Sequence, residues 1–156
     1  MTTESAETPG KIRLVIAEDE TITREMLARL LALEDDIEVV GTAADGAKAL
    51  AVVRAQRPDV LLTDIGMPQA NGIELTDTLR REFPSIGVVI LTIYNDDDRV
   101  FSAIKAGARG YVLKDSPPEE TITAVRAVGR GEALLHPSLV GRFLTEFSRL
   151  STQRAA

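Results

Sequence analysis

The residues of this 156-residue sequence whose types suit chemistry stand at the ends of apolar runs. Val60-Leu61-Leu62-Thr63 leads into Asp64, and a Gly66-Met67-Pro68 stop follows. Lys11 to Ala17 leads into Glu18-Asp19, Val88 to Leu91 into Thr92, and Tyr111 to Leu113 into Lys114. Three carboxylates, a hydroxyl and an ammonium are thereby available to one crevice, if the runs are neighbouring strands. Clustered carboxylates repel one another and call for a cation, and oxygen ligands without His or Cys favour Mg2+. A metal on one side, a lysine on the other and a carboxylate between them suit stabilisation of a transferring phosphoryl group. Asp64, central among the runs, is the candidate nucleophile.

Each group also has a plainer use. Glu18 and Asp19 equally serve as helix caps, Thr92 as an ordinary strand residue, and Lys114 as an edge lysine that discourages aggregation. Tyr111 suits edge-strand packing, Asp96 to Asp98 a solvated helix start, and His136 a cap. The functional reading gains from coincidence: matching groups end four of five expected strands.

Those strands are centred near residues 15, 39, 62, 90 and 112. The second, Ile37 to Val40 (IEVV), alternates and suits an edge. Helices are expected between and after them. In Ile22 to Leu33 the apolar residues 22, 26, 27, 30, 31 and 33 share one side. Asp45-Gly46 opens a helix to about Gln56, and Asn71-Gly72-Ile73-Glu74 caps another to about Glu82. A helix opens after Asn95 and stops at Gly107. Ser116-Pro117-Pro118-Glu119 reads as a capping box, with the helix ending near Gly129 to Gly131. Five β-α units with short loops predict an α/β fold, a doubly wound five-stranded parallel sheet. The order 2-1-3-4-5 buries the most apolar runs and puts strands 1 and 3 side by side at the topological switch point.

The length suits one domain and a short appendage: a flexible segment over 1–10, the domain over 11–131, a C-terminal helix over 132–150 and a tail over 151–156. In that helix Leu139, Val140, Phe143, Leu144, Phe147 and Leu150 line one side. The sequence has no cysteine, which excludes disulfides, zinc-thiolate sites and thiol nucleophiles. No run is long enough to span a bilayer, and the polar, acidic start is no signal peptide, so a cytoplasmic location is expected. Residues 1–122 carry 13 Lys/Arg against 22 Asp/Glu, and residues 123–156 carry 5 against 2. The acidic body would repel a phosphate backbone, which argues against nucleic-acid binding by these residues.

The motifs Ala17-Glu18-Asp19, Thr63 to Pro68 (TDIGMP), Ile90 to Thr92 (ILT) and Lys105 to Asp115 (KAGARGYVLKD) together resemble the receiver domain of two-component response regulators, from about Ile12 to Gly131. The GYVLKD ending and the HPSL tail are similar to the NarL/FixJ subfamily. The resemblance implies a flavodoxin-like receiver fold in which Asp64 accepts a phosphoryl group from a phosphohistidine on a sensor histidine kinase. It implies that Asp19, Asp64 and the Gly66 carbonyl bind Mg2+, with Glu18 acting through water. Lys114 and Thr92 would contact phosphoryl oxygens, and Tyr111 would swing inward with Thr92. Homodimerisation on phosphorylation is expected, with control of transcription through a helix-turn-helix domain that this chain, ending at Ala156, does not contain. Partners are then the kinase, a second copy and, through that output domain, DNA; no membrane is involved. The chain is expected to be a fragment or a stand-alone receiver acting by protein contacts. Asp115 stands where many receivers have proline, so the geometry of the Lys114–Asp115 bond is open.

Two other classes share parts of this pattern. A flavodoxin-like FMN protein would need hydroxyls and backbone N–H groups after the first strand, where Glu18-Asp19-Glu20 stands. An aspartyl-phosphate phosphatase would need a carboxylate two residues past the nucleophile, where Gly66 stands.

Overall fold

A computed structural model describes residues 10–67, 71–93, 97–134, 144–145 and 148–149. Strands β1 (Ile12–Ala17), β2 (Ile37–Ala43), β3 (Val60–Asp64), β4 (Gly87–Thr92) and β5 (Gly110–Leu113) form one sheet in the order β2-β1-β3-β4-β5. All four pairings are parallel. Helices α1 (Thr21–Ala32), α2 (Gly46–Gln56), α3 (Gly72–Glu82), α4 (Asp97–Ala106) and α5 (Pro118–Gly129) alternate with them. The order and the alternation are those expected from the sequence.

The period-2 alternation of strands divides the core in two. Leu14, Ile16, Val60, Leu62, Val89, Leu91 and Val112 face α1 and α5, where Leu27, Leu31, Ala124, Val125 and Val128 meet them. Val15, Leu61, Val88, Ile90 and Tyr111 face the other way, onto Val53, Leu75, Leu79 and Ala103 of α2, α3 and α4. β3 is buried along its whole length because it is central and covered on both sides. Each fully buried aliphatic side chain contributes about 1.5–3 kcal/mol, which offsets the ordering of the backbone.

Local signals set the helix ends. Asp45 caps α2 by accepting the Lys48 N–H at 2.8 Å. Asn71 and Glu74 form the expected reciprocal capping box on α3. Arg57 ends α2 in the left-handed region at φ 48°, and its guanidinium lies 4.5 Å from the centre of the Phe83 ring. Gly107, at φ 114°, follows α4, where a side chain would be strained.

The structure departs from the sequence reading in four places. β2 runs on to Ala43, past IEVV, after a register shift between Leu14 and Val15 on its partner. The Ser116 capping box does not form. Ser116 donates its N–H to the Leu113 carbonyl, and Pro117 takes the cap position without a side-chain bond, with Pro118 in the first turn. On α1 only part of the apolar side is covered: Leu27 and Leu31 are buried, while Ile22, Met26 and Leu33 are exposed. β5 is not an open edge either. Leu134 pairs with it in parallel, accepting the Tyr111 N–H at 3.1 Å and donating to the Arg109 carbonyl at 2.8 Å. The Lys114–Asp115 bond is trans. The C-terminal helix expected over 132–150 does not start at 132, because residues 132–134 are not helical and Leu134 is held against β5; residues 144–145 and 148–149 are helical, and the rest beyond Leu134 lies outside the described residues, as do residues 1–9.

An ion-pair cluster joins α5 to the loop before β2. Arg126 donates to Glu34 at 2.6 Å and to both oxygens of Asp36 at 2.8 and 3.0 Å. The guanidinium holds the Asp36 carboxyl below its ordinary value, but solvent screens the pair, so its net contribution is about 1 kcal/mol at most.

These burial differences give a direct expectation. Leu62→Ala removes a fully buried side chain from the central strand and destabilises by about 2–5 kcal/mol, whereas Leu33→Ala changes stability by less than about 0.5 kcal/mol. Urea unfolding of the two variants checks this; similar midpoints would contradict the two-layer core.

Candidate functional site

The carboxyl ends of β1, β3 and β5 bring three charged groups into contact. Asp64 ends β3 and is 6% exposed. Its Oδ1 accepts the Gly66 N–H at 3.3 Å, and its Oδ2 lies 3.0 Å from Lys114 Nζ. The same ammonium lies 3.2 Å from Glu18 Oε1. Lys114 reaches this point because β5 pairs with β4, and its own N–H donates to the Thr92 carbonyl at 2.8 Å. Glu18 is fixed from several directions. Its N–H donates to the Ala43 carbonyl, its carbonyl accepts from Arg24, and its Oε2 accepts the Glu20 N–H at 3.1 Å.

Glu18 is fully buried, and its Oε1 accepts no hydrogen bond within the described residues. The ammonium is close enough to attract that oxygen but is not aligned to donate to it. A buried carboxylate oxygen that meets an ammonium but accepts no hydrogen bond is incompletely compensated, which fits it to a further positive charge. Asp19 completes the group from an exposed position. One oxygen each from Glu18, Asp19 and Asp64 lies within 4.8 Å of the others. Three carboxylates against one ammonium leave a formal charge of −2, which a divalent cation would neutralise.

Burial dominates the ionisation of this cluster. It pushes the Asp64 carboxyl above its ordinary value; Lys114 and the Gly66 N–H oppose the rise and Asp19 adds to it. Burial likewise raises Glu18, with the Glu20 N–H and Lys114 opposing it and Asp64 adding to it. For Lys114 burial alone would lower the value, but contacts with Asp64 and Glu18 outweigh it, so the lysine is held charged.

The other expected residues are placed as follows. Thr92 is fully buried at the end of β4, and its hydroxyl donates to the Ile93 carbonyl at 3.3 Å. Tyr111 is 1% exposed and packs under α4 with Ile90 and Ala103; burial raises its hydroxyl's pKa, and a hydrogen bond with the Ile104 backbone works the other way. Gly66 stands beside Asp64, and a side chain there would collide with the Arg99 guanidinium. Asp96 and the side chains of Asp97 and Asp98 lie outside the described residues. Two features had no signal in the sequence: the contact of Lys114 with Glu18 as well as Asp64, and the approach of Arg99 to Gly66. Both pair residues far apart in the chain, and only the packed sheet shows them.

Similarities to known proteins agree with this geometry. A family profile described as response regulator receiver domain matches residues 14–126. The chain is 39% identical over 141 residues to the transcriptional regulatory protein DegU of Brevibacillus brevis, covering 90% of this chain and 60% of that protein. The chain therefore spans less than two thirds of that relative's length. Among solved structures, a LuxR-family two-component response regulator from Aurantimonas sp. SI85-9A1 superposes with a TM-score of 0.82 at 30% identity, covering 88% of this chain and 99% of that one. RcsB, solved as two dimers bound to two parallel DNAs, superposes with a TM-score of 0.77 at 25% identity, covering 85% and 68%.

The raised carboxyl of Asp64 has a consequence for stability. A carboxyl whose folded value exceeds its unfolded value weakens the fold fully above the folded value, and the penalty vanishes as pH falls below the unfolded value of 3.8. Asp64→Asn removes the penalty, so without divalent cations the variant melts above the native protein at pH 7. The gap closes as the pH is lowered toward 4. Thermal melts at both pH values decide this; a lower melting temperature for the variant at pH 7 would reverse the sign assigned here.

Proposed function

The chain belongs to the response regulator receiver domain family, and on that premise we propose that Asp64 is the phosphoacceptor of a signalling switch driven by a sensor histidine kinase. The observation that carries the assignment is the placement of Lys114 between Asp64 and the fully buried Glu18, at 3.0 and 3.2 Å. A carboxylate that must act as nucleophile has to stay ionised although burial opposes it, and a fixed ammonium provides for that. In the step itself a carboxylate oxygen of Asp64 attacks phosphorus. The bond from phosphorus to the imidazole nitrogen breaks, and its electron pair stays on that nitrogen.

Charge on the three equatorial phosphoryl oxygens is the main load in such a transfer. Lys114 meets it from one side, by leaving its contact with Asp64 for a phosphoryl oxygen. Thr92, one strand away, offers a hydroxyl whose present bond to Ile93 is long and readily exchanged. The acidic cluster fits a hard divalent cation, on the evidence of the donorless Glu18 oxygen and the all-oxygen donor set. Asp19, Asp64 and the Gly66 carbonyl would hold Mg2+ directly, with Glu18 acting through water. When bound, Mg2+ supplies positive charge to the phosphoryl oxygens and offsets the repulsion among the carboxylates.

The surface response follows from the same contacts. Thr92 and Tyr111 lie on the α4 side of β4 and β5, so a hydroxyl drawn toward Asp64 alters the packing under α4. A charge-assisted contact is worth about 1.5–3 kcal/mol, and two of them supply much of the ~5.5 kcal/mol that moves a population from 1:99 to 99:1. We assign residues 11–131 to the receiver and the segment beyond Leu134 to a linker leading to an output domain outside this sequence. RcsB dimers bind DNA, and phosphorylation of this chain would likewise favour a homodimer that presents its output domain to DNA. A stand-alone receiver acting by protein contacts is the second reading. Among the described residues no helix is long and apolar enough to cross a membrane, which is compatible with the cytoplasmic location proposed for a kinase-fed regulator.

Three variants separate the roles. With acetyl phosphate and Mg2+, Asp64→Asn gains no phosphoryl mass, while Lys114→Ala is phosphorylated more slowly and fails to self-associate with beryllofluoride in sedimentation. Asp19→Asn weakens Mg2+ binding about tenfold or more by calorimetry, for loss of one ligand charge. Phosphorylation of Asp64→Asn at the native level would refute the acceptor assignment.

A further inference from the structure

Arg24 stands half-buried in the first turn of α1 and reaches back over the turn that leads into that helix. Its Nη1 donates to the Glu18 carbonyl at 2.8 Å and, more weakly, to the Asp19 carbonyl at 3.5 Å. Its Nη2 donates to Thr21 Oγ1 at 3.5 Å. One guanidinium therefore ties together residues 18, 19 and 21. Long side chains on a helix point toward its N-terminus, so the direction of this reach is ordinary. The charge is not. A cation in the first turn opposes the helix dipole. Here it also stands on the backbone of two residues whose carboxylates gather positive charge.

The tie fills a gap in the local structure. Glu20, at the cap position of α1, makes no side-chain cap bond, and the first turn holds no acidic residue. The turn is held on the sheet side by the Glu18 N–H on the Ala43 carbonyl, and within itself by the Glu20 N–H on Glu18 Oε2. Arg24 holds it on the helix side. Asp19 depends on this most. It is exposed, yet one of its oxygens lies within 4.8 Å of oxygens from Glu18 and Asp64. Like charges at that spacing push the turn outward, and the bond to the Glu18 carbonyl resists the push.

We propose that Arg24 is a positioning residue for the cation site: it holds the Glu18–Asp19 turn in the geometry that Mg2+ needs and thereby favours Mg2+ over Ca2+. The inference rests on the carboxylate cluster being the Mg2+ site of the function proposed above. Mg2+ demands short bonds in a near-ideal octahedron, whereas Ca2+ accepts longer bonds and irregular ligand sets. A turn free to move outward therefore harms Mg2+ first. The charge of Arg24 acts in the opposite sense. Its removal alone would tighten the binding of both ions, so the sign of the effect separates positioning from electrostatics.

The test measures dissociation constants for Mg2+ and for Ca2+ on the full chain from amide chemical shifts, with no phosphodonor present. Arg24→Met keeps the length of the side chain and removes its donors. It is expected to weaken Mg2+ binding roughly five- to tenfold and Ca2+ binding less than about twofold. Arg24→Lys, which keeps the charge but not the fork, falls between Arg24→Met and the native chain. Arg29→Met, which removes an exposed cation from the last turn of the same helix, leaves the ratio of the two constants unchanged. In acetyl phosphate reactions followed by intact mass, Arg24→Met needs correspondingly more Mg2+ for half the maximal rate, and the rate at saturating Mg2+ changes less than about twofold. A native ratio in both Arg24 variants, tighter Mg2+ binding in Arg24→Met, or equal losses for the two ions would overturn the inference. If Asp19→Asn is weakened in those outcomes, the metal site stands and only the role of Arg24 falls. Native Mg2+ affinity in Asp19→Asn would overturn the metal site and this inference together.

Discussion

Two carboxylates are buried at the ends of adjacent strands, and a single ammonium makes that arrangement tolerable. Among the described residues Lys114 is the cation paired with both Glu18 and Asp64, and burial still pushes both carboxyls above their ordinary values. The sheet order is what makes this contact possible. β1 and β3 must be neighbours for Glu18 and Asp64 to meet, and β5 must follow β4 so that Lys114 extends over them. The hydrophobic layers on either side hold the strand ends in register, and that register determines where the charges fall.

The cluster is incomplete in a particular way. A protein selected only for stability would give Glu18 Oε1 a donor or replace the group with an apolar one. Here the oxygen is kept, buried and without a hydrogen bond, next to an exposed aspartate. The penalty is of the kind found where a site is shaped for something that binds later. It also sets the direction in which binding acts on the fold: any cation or phosphoryl group that satisfies the cluster stabilises the folded state by mass action.

Much of this was legible in the sequence, for definable reasons. The strand ends were readable because a parallel strand covered on both faces is a continuous apolar run, so Asp64, Thr92 and Lys114 stand out where the runs stop. The topology followed from alternation and from burying the most apolar runs. What was not legible involved choices among local alternatives or contacts across the sheet. Ser116 had the composition of a cap, but Pro117 fixes the chain in an extended conformation and takes the position itself. Ile22, Met26 and Leu33 belong to the apolar side of α1, yet the sheet covers only the sector around Leu27 and Leu31. Nothing near Gly66 in the sequence points to Arg99, because the residue that fills its space comes from another element.

The pairing of Leu134 with β5 gives the chain a defined exit. Because the bridge is parallel, the backbone passes Leu134 heading as β5 heads, toward the end of the sheet that carries Lys114. Its two hydrogen bonds grip Arg109 and Tyr111, on either side of Gly110. A pull along that line loads both bonds in shear, the direction in which paired strands resist most, and transmits tension straight into β5. The backbone that leaves the domain at Leu134 is therefore tied to the strand that bears Tyr111. A shift of β5 would swing the exit, and a load on the exit would stiffen β5.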